Sequence, residues 1–83
     1  MSFTTEQIEE LHVLMNFNLN SNMKGIKVHK SARQEMIAAV DRLHAKGMIT
    51  QIDGGYLTDL GREAAEHAQV LLTMLAPSGE MSS

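Results

Sequence analysis

Residues 43–65, LHAKGMITQIDGGYLTDLGREAA, constrain the fold of this chain more than any other segment. They read as the end of a helix, a stop, two short strands joined by a tight turn, and a new helix. Gly47 suits a left-handed helix cap, and Lys46 in the last turn favours the helix dipole. Residues 48–52 form a strand candidate. Asp53-Gly54 is a hairpin signal for a type I′ turn, which needs positive φ at both central residues. Tyr56 and Leu57 return as a very short strand, and Thr58 caps the next helix.

The flanking sequence supplies the remaining elements. Thr4 or Thr5 starts a first helix, and Thr4 with Gln7 fits a capping box. Ile8, Leu11, Leu14 and Met15 repeat at helical spacing, while Glu6, Glu9 and Glu10 fall on other faces. Asn16, Asn18, Asn20 and Asn22 weaken that helix, which is expected to fray between about residues 18 and 22. In residues 23–29, Ile26 and Val28 alternate with Lys27 and His29, which fits a short half-exposed strand. A second helix is expected over residues 31–45, with Ser31 and Gln34 as another capping box. Its inward stripe is read as Met36, Ile37, Val40, Leu43 and His44. Ala38 and Ala39 fall with Gln34, Glu35, Asp41 and Arg42 on the other side. In the last helix Leu60, Ala64, Ala68, Leu71 and Leu75 mark one face, and Ala65 and Leu72 broaden it. Gly61 allows close approach to a neighbour, and Pro77 stops the helix. The expectation is a mostly helical α+β fold: three helices, with a hairpin between the second and third. One domain spans residues 1–76, followed by a tail over 77–83.

At 83 residues the chain supports one small domain with a thin core, which a second copy would help to stabilise. It has no cysteine, so neither a disulfide framework nor a cysteine zinc site is open to it, and a reducing cytoplasm suits it. The start, MSFTTEQIEE, lacks the basic flank and apolar run of a signal peptide, and no stretch approaches a membrane span. The net charge of −3 is unevenly spread. Residues 1–23 carry −3, from Glu6, Glu9 and Glu10. Residues 24–46 carry +4, with Lys24, Lys27, Lys30, Arg33, Arg42 and Lys46 against Glu35 and Asp41. Residues 47–83 carry −4. A basic block of this kind attracts phosphate locally even in an acidic protein.

The runs RLHAKGMI and GGYLTDLGREA resemble the recognition-helix end, wing and following helix of winged helix-turn-helix regulators, including the MarR and PadR groups. The Leu-Thr-x-x-Gly-Arg pattern of residues 57–62 carries much of that likeness. The whole chain also resembles a small family of bacterial proteins labelled as DNA-binding without established roles. The resemblance implies a winged-helix-like fold, DNA binding and transcriptional regulation. One element departs from the pattern. A helix-turn-helix joins two helices by a turn of about 3–4 residues, whereas only one helix fits between Gly25 and Gly47. Either the supporting helix is missing, or the first helix does its job from a longer tether.

Two functions follow as expectations. In the first, double-stranded DNA is bound by the second helix. Lys30, Arg33 and the helix N-terminus meet phosphate. Gln34 and Arg42 reach base edges, and Lys24, Lys27 and Lys46 add to the basic surface. The same residues also fit a solvated basic face, and Glu35 and Asp41 would repel phosphate. In the second, the chain is a protein-interaction or dimerisation module on the same scaffold. Ala64, Ala68, Leu71 and Leu75, spaced 4, 3 and 4, make a coiled-coil-like seam for a homodimer or for the first helix of the same chain.

Tyr56 is expected to pack its ring on the core edge. His12, His29, His44 and His67 are scattered without metal-ligand spacing. Met15, Met36, Met48 and Met74 read as core filling. No enzyme constellation, cofactor motif, membrane partner or small-molecule site is evident.

Overall fold

The computed structural model describes residues 2–20 and 25–77. In chain order it contains α1 (Thr5–Leu14), β1 (Ile26–Lys27), α2 (Gln34–Ala45), β2 (Ile49–Gln51), β3 (Gly54–Leu57) and α3 (Asp59–Leu75). The three strands form one antiparallel sheet in the order β1-β3-β2. The layout is α+β and winged-helix-like. Residues 78–83, most of the expected tail, lie outside the described residues, as do Ser21, Asn22, Met23 and Lys24.

Helix α1 begins as its sequence dictates. The Gln7 N–H donates to Thr4 Oγ1 at 3.0 Å, and the Thr4 N–H donates to Gln7 Oε1 at 2.9 Å. The helix ends at Leu14, earlier than the expected fraying. Past it, Asn18 Oδ1 accepts the Asn20 N–H at 2.9 Å. Such a turn draws asparagine out of helix.

No helix stands between β1 and α2. The chain makes one turn there, in which the Ala32 N–H donates to the His29 carbonyl at 3.0 Å. Among the described residues no supporting helix precedes α2 across a short turn, and α1 packs directly against α2. That turn also corrects the start of α2. Ser31 is enclosed within it, and the N-cap is Arg33, whose side chain makes no capping bond. The inward face of α2 is rotated from the expected stripe as well. Ala39, Val40 and Leu43 are buried, whereas His44 is exposed. Alanine on the buried side lets neighbouring elements approach closely, and His44 is left in solvent.

The end of α2 is a Schellman motif. Gly47 has φ 78°, its N–H donates to the His44 carbonyl, and the Met48 N–H donates to the Leu43 carbonyl, each at 3.0 Å. The expected type I′ turn does not form. Ile52 and Asp53 make the hairpin turn, and neither has positive φ. Positive φ falls instead on Gly54 (128°) and Gly55 (75°), inside β3. The pairs Ile49–Leu57 and Gln51–Gly54 leave one extra residue in β3, a bulge opposite Thr50. Thr50 Oγ1 accepts the Tyr56 N–H at 3.0 Å, so the threonine hydroxyl satisfies an amide at the bulge. Tyr56 itself is half exposed.

Each residue of the Leu57–Arg62 pattern has a structural task. Leu57 packs on the core. The Thr58 hydroxyl accepts the Gly61 N–H at 3.1 Å and donates to the Gly47 carbonyl at 2.6 Å, joining the start of α3 to the end of α2. Gly61 lies against the Met48 backbone. Arg62 Nη1 donates to the Leu19 carbonyl at 2.8 Å, tying α3 to the segment after α1. The core gathers where the three helices meet the sheet, around Val13, Leu14, Phe17, Val40, Leu43 and Ile49.

Candidate functional site

The described basic residues of the central block do not all share a free face. Arg42 turns toward α1. Its Nε donates to Glu10 Oε2 at 2.8 Å, its Nη2 to the Glu6 carbonyl at 3.2 Å, and its Nη1 lies 3.8 Å from Glu6 Oε2. Lys46, one turn further on, donates to Glu10 Oε1. Glu10 thus accepts from two cations with its two oxygens, and its side chain is only 8% exposed. Arg33, largely in solvent, pairs more loosely with Glu9 at 3.4 Å; a pair with one exposed partner adds little stability. Lys27 and Lys30 are exposed near the start of α2, and Gln34 opens that helix. Lys24 lies outside the described residues.

The DNA-contact set is therefore divided. Arg42 and Lys46 serve the α1–α2 interface, and the exposed side of α2 presents Gln34, Glu35, Ala38 and Asp41. A groove of about 520 Å³ runs between α2 and the hairpin turn, with Val28, Ile37 and Ile52 beside Lys30, Asp41 and Asp53. Its mixed charges do not form a phosphate track.

Glu10 is the residue that sequence reasoning missed. Spacing sets it off the expected stripe of Ile8, Leu11, Leu14 and Met15, yet it is buried with Val13 and Leu14 at i, i+3 and i+4, while Ile8 is 42% exposed. Burial pushes its carboxyl up, but the hydrogen bonds from Lys46 and Arg42 outweigh burial and hold it below its ordinary value. Arg42 is raised in turn, chiefly by its bond to Glu10. A carboxylate lowered in the folded state contributes stability above the ordinary carboxylate range. That contribution is lost as pH falls through the lowered folded value. The domain is thus expected to weaken below about pH 4. Glu10→Gln is expected to cost about 2 kcal/mol at neutral pH and to flatten the acid limb. Urea midpoints at neutral and acid pH measure both effects, and an unchanged acid limb in Glu10→Gln would refute the assignment.

The chain belongs to DUF5669, a family of unknown function. The family model matches residues 1–76, so all six elements of the fold lie within the DUF5669 unit. No curated protein and no solved structure matches the chain. Among the described residues no helix is long and apolar enough to cross a membrane, and no three His, Asp or Glu side chains gather as a metal site would require.

The second candidate surface in this DUF5669 domain is α3. Its buried side is Gly61, Ala65 and Ala68. The expected seam of Ala64, Ala68, Leu71 and Leu75 is therefore not one surface. Ala68 is 7% exposed and faces the domain, whereas Leu75 is 73% exposed. Met74, expected in the core, is 76% exposed. Val70, Leu71 and Leu72 are exposed with it, so the second half of α3 carries most of its apolar side chains in solvent. Exposed apolar side chains gathered along one stretch of helix make it a candidate interaction surface.

Proposed function

We propose that this domain is a non-catalytic protein-interaction module on a winged-helix-like scaffold, acting through the exposed apolar side of α3 rather than by reading DNA with α2. The observation that carries this reading is the uncovered apolar surface of α3, from Leu60 to Leu75. The division of the basic block supports it, since Arg42 and Lys46 are committed to Glu10. The lack of a supporting helix among the described residues supports it too, because a recognition helix is normally braced across the DNA backbone by its partner helix. The cysteine-free sequence suits a reducing cytosol.

DNA binding is the second reading, favoured by the exposed Lys27 and Lys30 beside the start of α2. The two readings separate in an anisotropy titration of labelled mixed-sequence duplex. At ~50 mM salt and micromolar protein, no binding is expected. A protein with several phosphate contacts binds under those conditions and loses affinity steeply as salt rises. Salt-dependent binding of that kind would overturn the interaction-module reading.

A further inference from the structure

Helix α3 has two stripes, and the protomer covers one of them but touches the other only at Ala64, which packs at the edge of the core. Gly61, Ala65 and Ala68 face the domain. On another side Leu60, Ala64, His67, Leu71 and Met74 recur at spacings of 4, 3, 4 and 3, a heptad pattern sustained along the helix. Leu60 is 51% exposed, Leu71 42% and Met74 76%; His67 is exposed and Ala64 half-buried. We propose that a second copy of this chain covers this stripe, with the two α3 helices antiparallel and His67 as the polar position that fixes their register. This proposal rests on the interaction-module reading and specifies its partner and geometry.

The distribution of charge selects both the partner and the direction. Asp59, Arg62, Glu63 and Glu66 occupy the first half of α3, and residues 68–75 carry no charge. A parallel pair would set Glu63 and Glu66 beside their own copies. An antiparallel pair sets them beside the uncharged half of the second copy and opposes the two helix dipoles favourably. Side-chain size agrees. With the two-fold axis near Gln69, Ala64 lies across from Met74 of the second copy, and His67 across from its Leu71. Beside Ala64 there is an apolar cleft of about 200 Å³, lined by Phe3, Leu11 and Leu14 among others. The Met74 side chain of the second copy falls at this cleft. About that axis the stripe pairs from Ala64 to Met74, ~15 Å at 1.5 Å per residue, and Leu60 lies beyond the overlap of the two helices. That is a small interface by the measure of specific complexes, so the dimer is expected to dissociate on dilution.

Sedimentation of the full chain over a concentration series reads the association. Wild type is expected to be a concentration-dependent dimer. Leu71→Glu is expected to be a monomer with an unchanged circular-dichroism spectrum, because Leu71 is exposed in the protomer. His67→Leu is expected to tighten the dimer by about tenfold, since it replaces the polar residue in an apolar seam. The natural sequence has no cysteine, so direction can be tested by oxidation of single-cysteine variants. Ala64→Cys mixed with Met74→Cys is expected to cross-link, and Met74→Cys alone is not. A monomeric wild type at ~100 µM, a Leu71→Glu dimer, a His67→Leu dimer no tighter than wild type, or self-cross-linked Met74→Cys would each overturn the proposal. None of these results bears on the duplex titration, so failure of the pairing and failure of the interaction-module reading are told apart.

Discussion

Gly61→Ala is expected to destabilise this domain by about 3 kcal/mol, although alanine is the better helix former by roughly 1 kcal/mol. The reason lies outside the helix. A Cβ at Gly61 would sit inside contact distance of the Met48 carbonyl oxygen and carbon, which are backbone atoms and cannot rotate away. The same carbonyl accepts the Thr58 N–H at 3.0 Å. Relief of the overlap requires the first turn of α3 to leave the start of β2. That movement strains the Thr58 bonds to Met48 and to Gly47 together. Chemical denaturation of the variant measures the loss. A stability equal to or above wild type would mean that helix propensity outweighs the close approach.

Leu43→Ala is expected to cost about 3–4 kcal/mol. Leu43 is 1% exposed and is one of the two largest fully buried side chains of the domain. It stands with Val13, Leu14 and Ile49, so its loss opens a cavity that α1, α2 and the sheet all border. An 83-residue domain has roughly 4–12 kcal/mol of total stability, so the variant loses a quarter of it or more. A thermal melt is expected to shift down by about 15 °C or more. A shift of only a few degrees would show that the core collapses around the gap.

These two positions illustrate what could be read from the chain. The Gly47 cap, the Thr58 cap and the Thr4–Gln7 box are closed by residues a few positions apart, so spacing alone carries them. Gly61 was legible as a close approach because a glycine inside a helix has a cost that packing must offset. The orientation of α2 was not legible in the same way. His44 and Ala39 exchange places relative to the expected stripe, because the inward side of a helix is decided by the elements that pack on it. Ser31 has the chemistry of a cap, but the His29–Ala32 turn claims that stretch first.

The candidate site was less legible still. Counting charge along the sequence grouped Arg42 and Lys46 with Lys27 and Lys30, yet the first two meet a carboxylate 32 and 36 residues away. Pairing over such a distance leaves no local signature except an acidic residue on an otherwise apolar stripe, which Glu10 is. In α3 the spacing of the apolar residues alone gathers Ala64, Ala68, Leu71 and Leu75 into one seam. The structure separates them: Ala68 is buried and Ala64 packs at the core edge, whereas Leu71 and Leu75 are exposed.

The sheet has a consequence for how this chain behaves when concentrated. Its outer strands are two and three residues long, and Lys27 sits on one of them. Strands that short present almost no row of free amides and carbonyls for an incoming chain to zip onto. The bulge at Gly55 twists the centre of the sheet further from the flatness that fibril growth needs. Crowded copies thus have little opportunity to add strand to strand at this sheet and propagate as an amyloid ribbon. Assembly through helices can be finite and reversible, and a sheet with such blunt borders leaves that route open while closing the other.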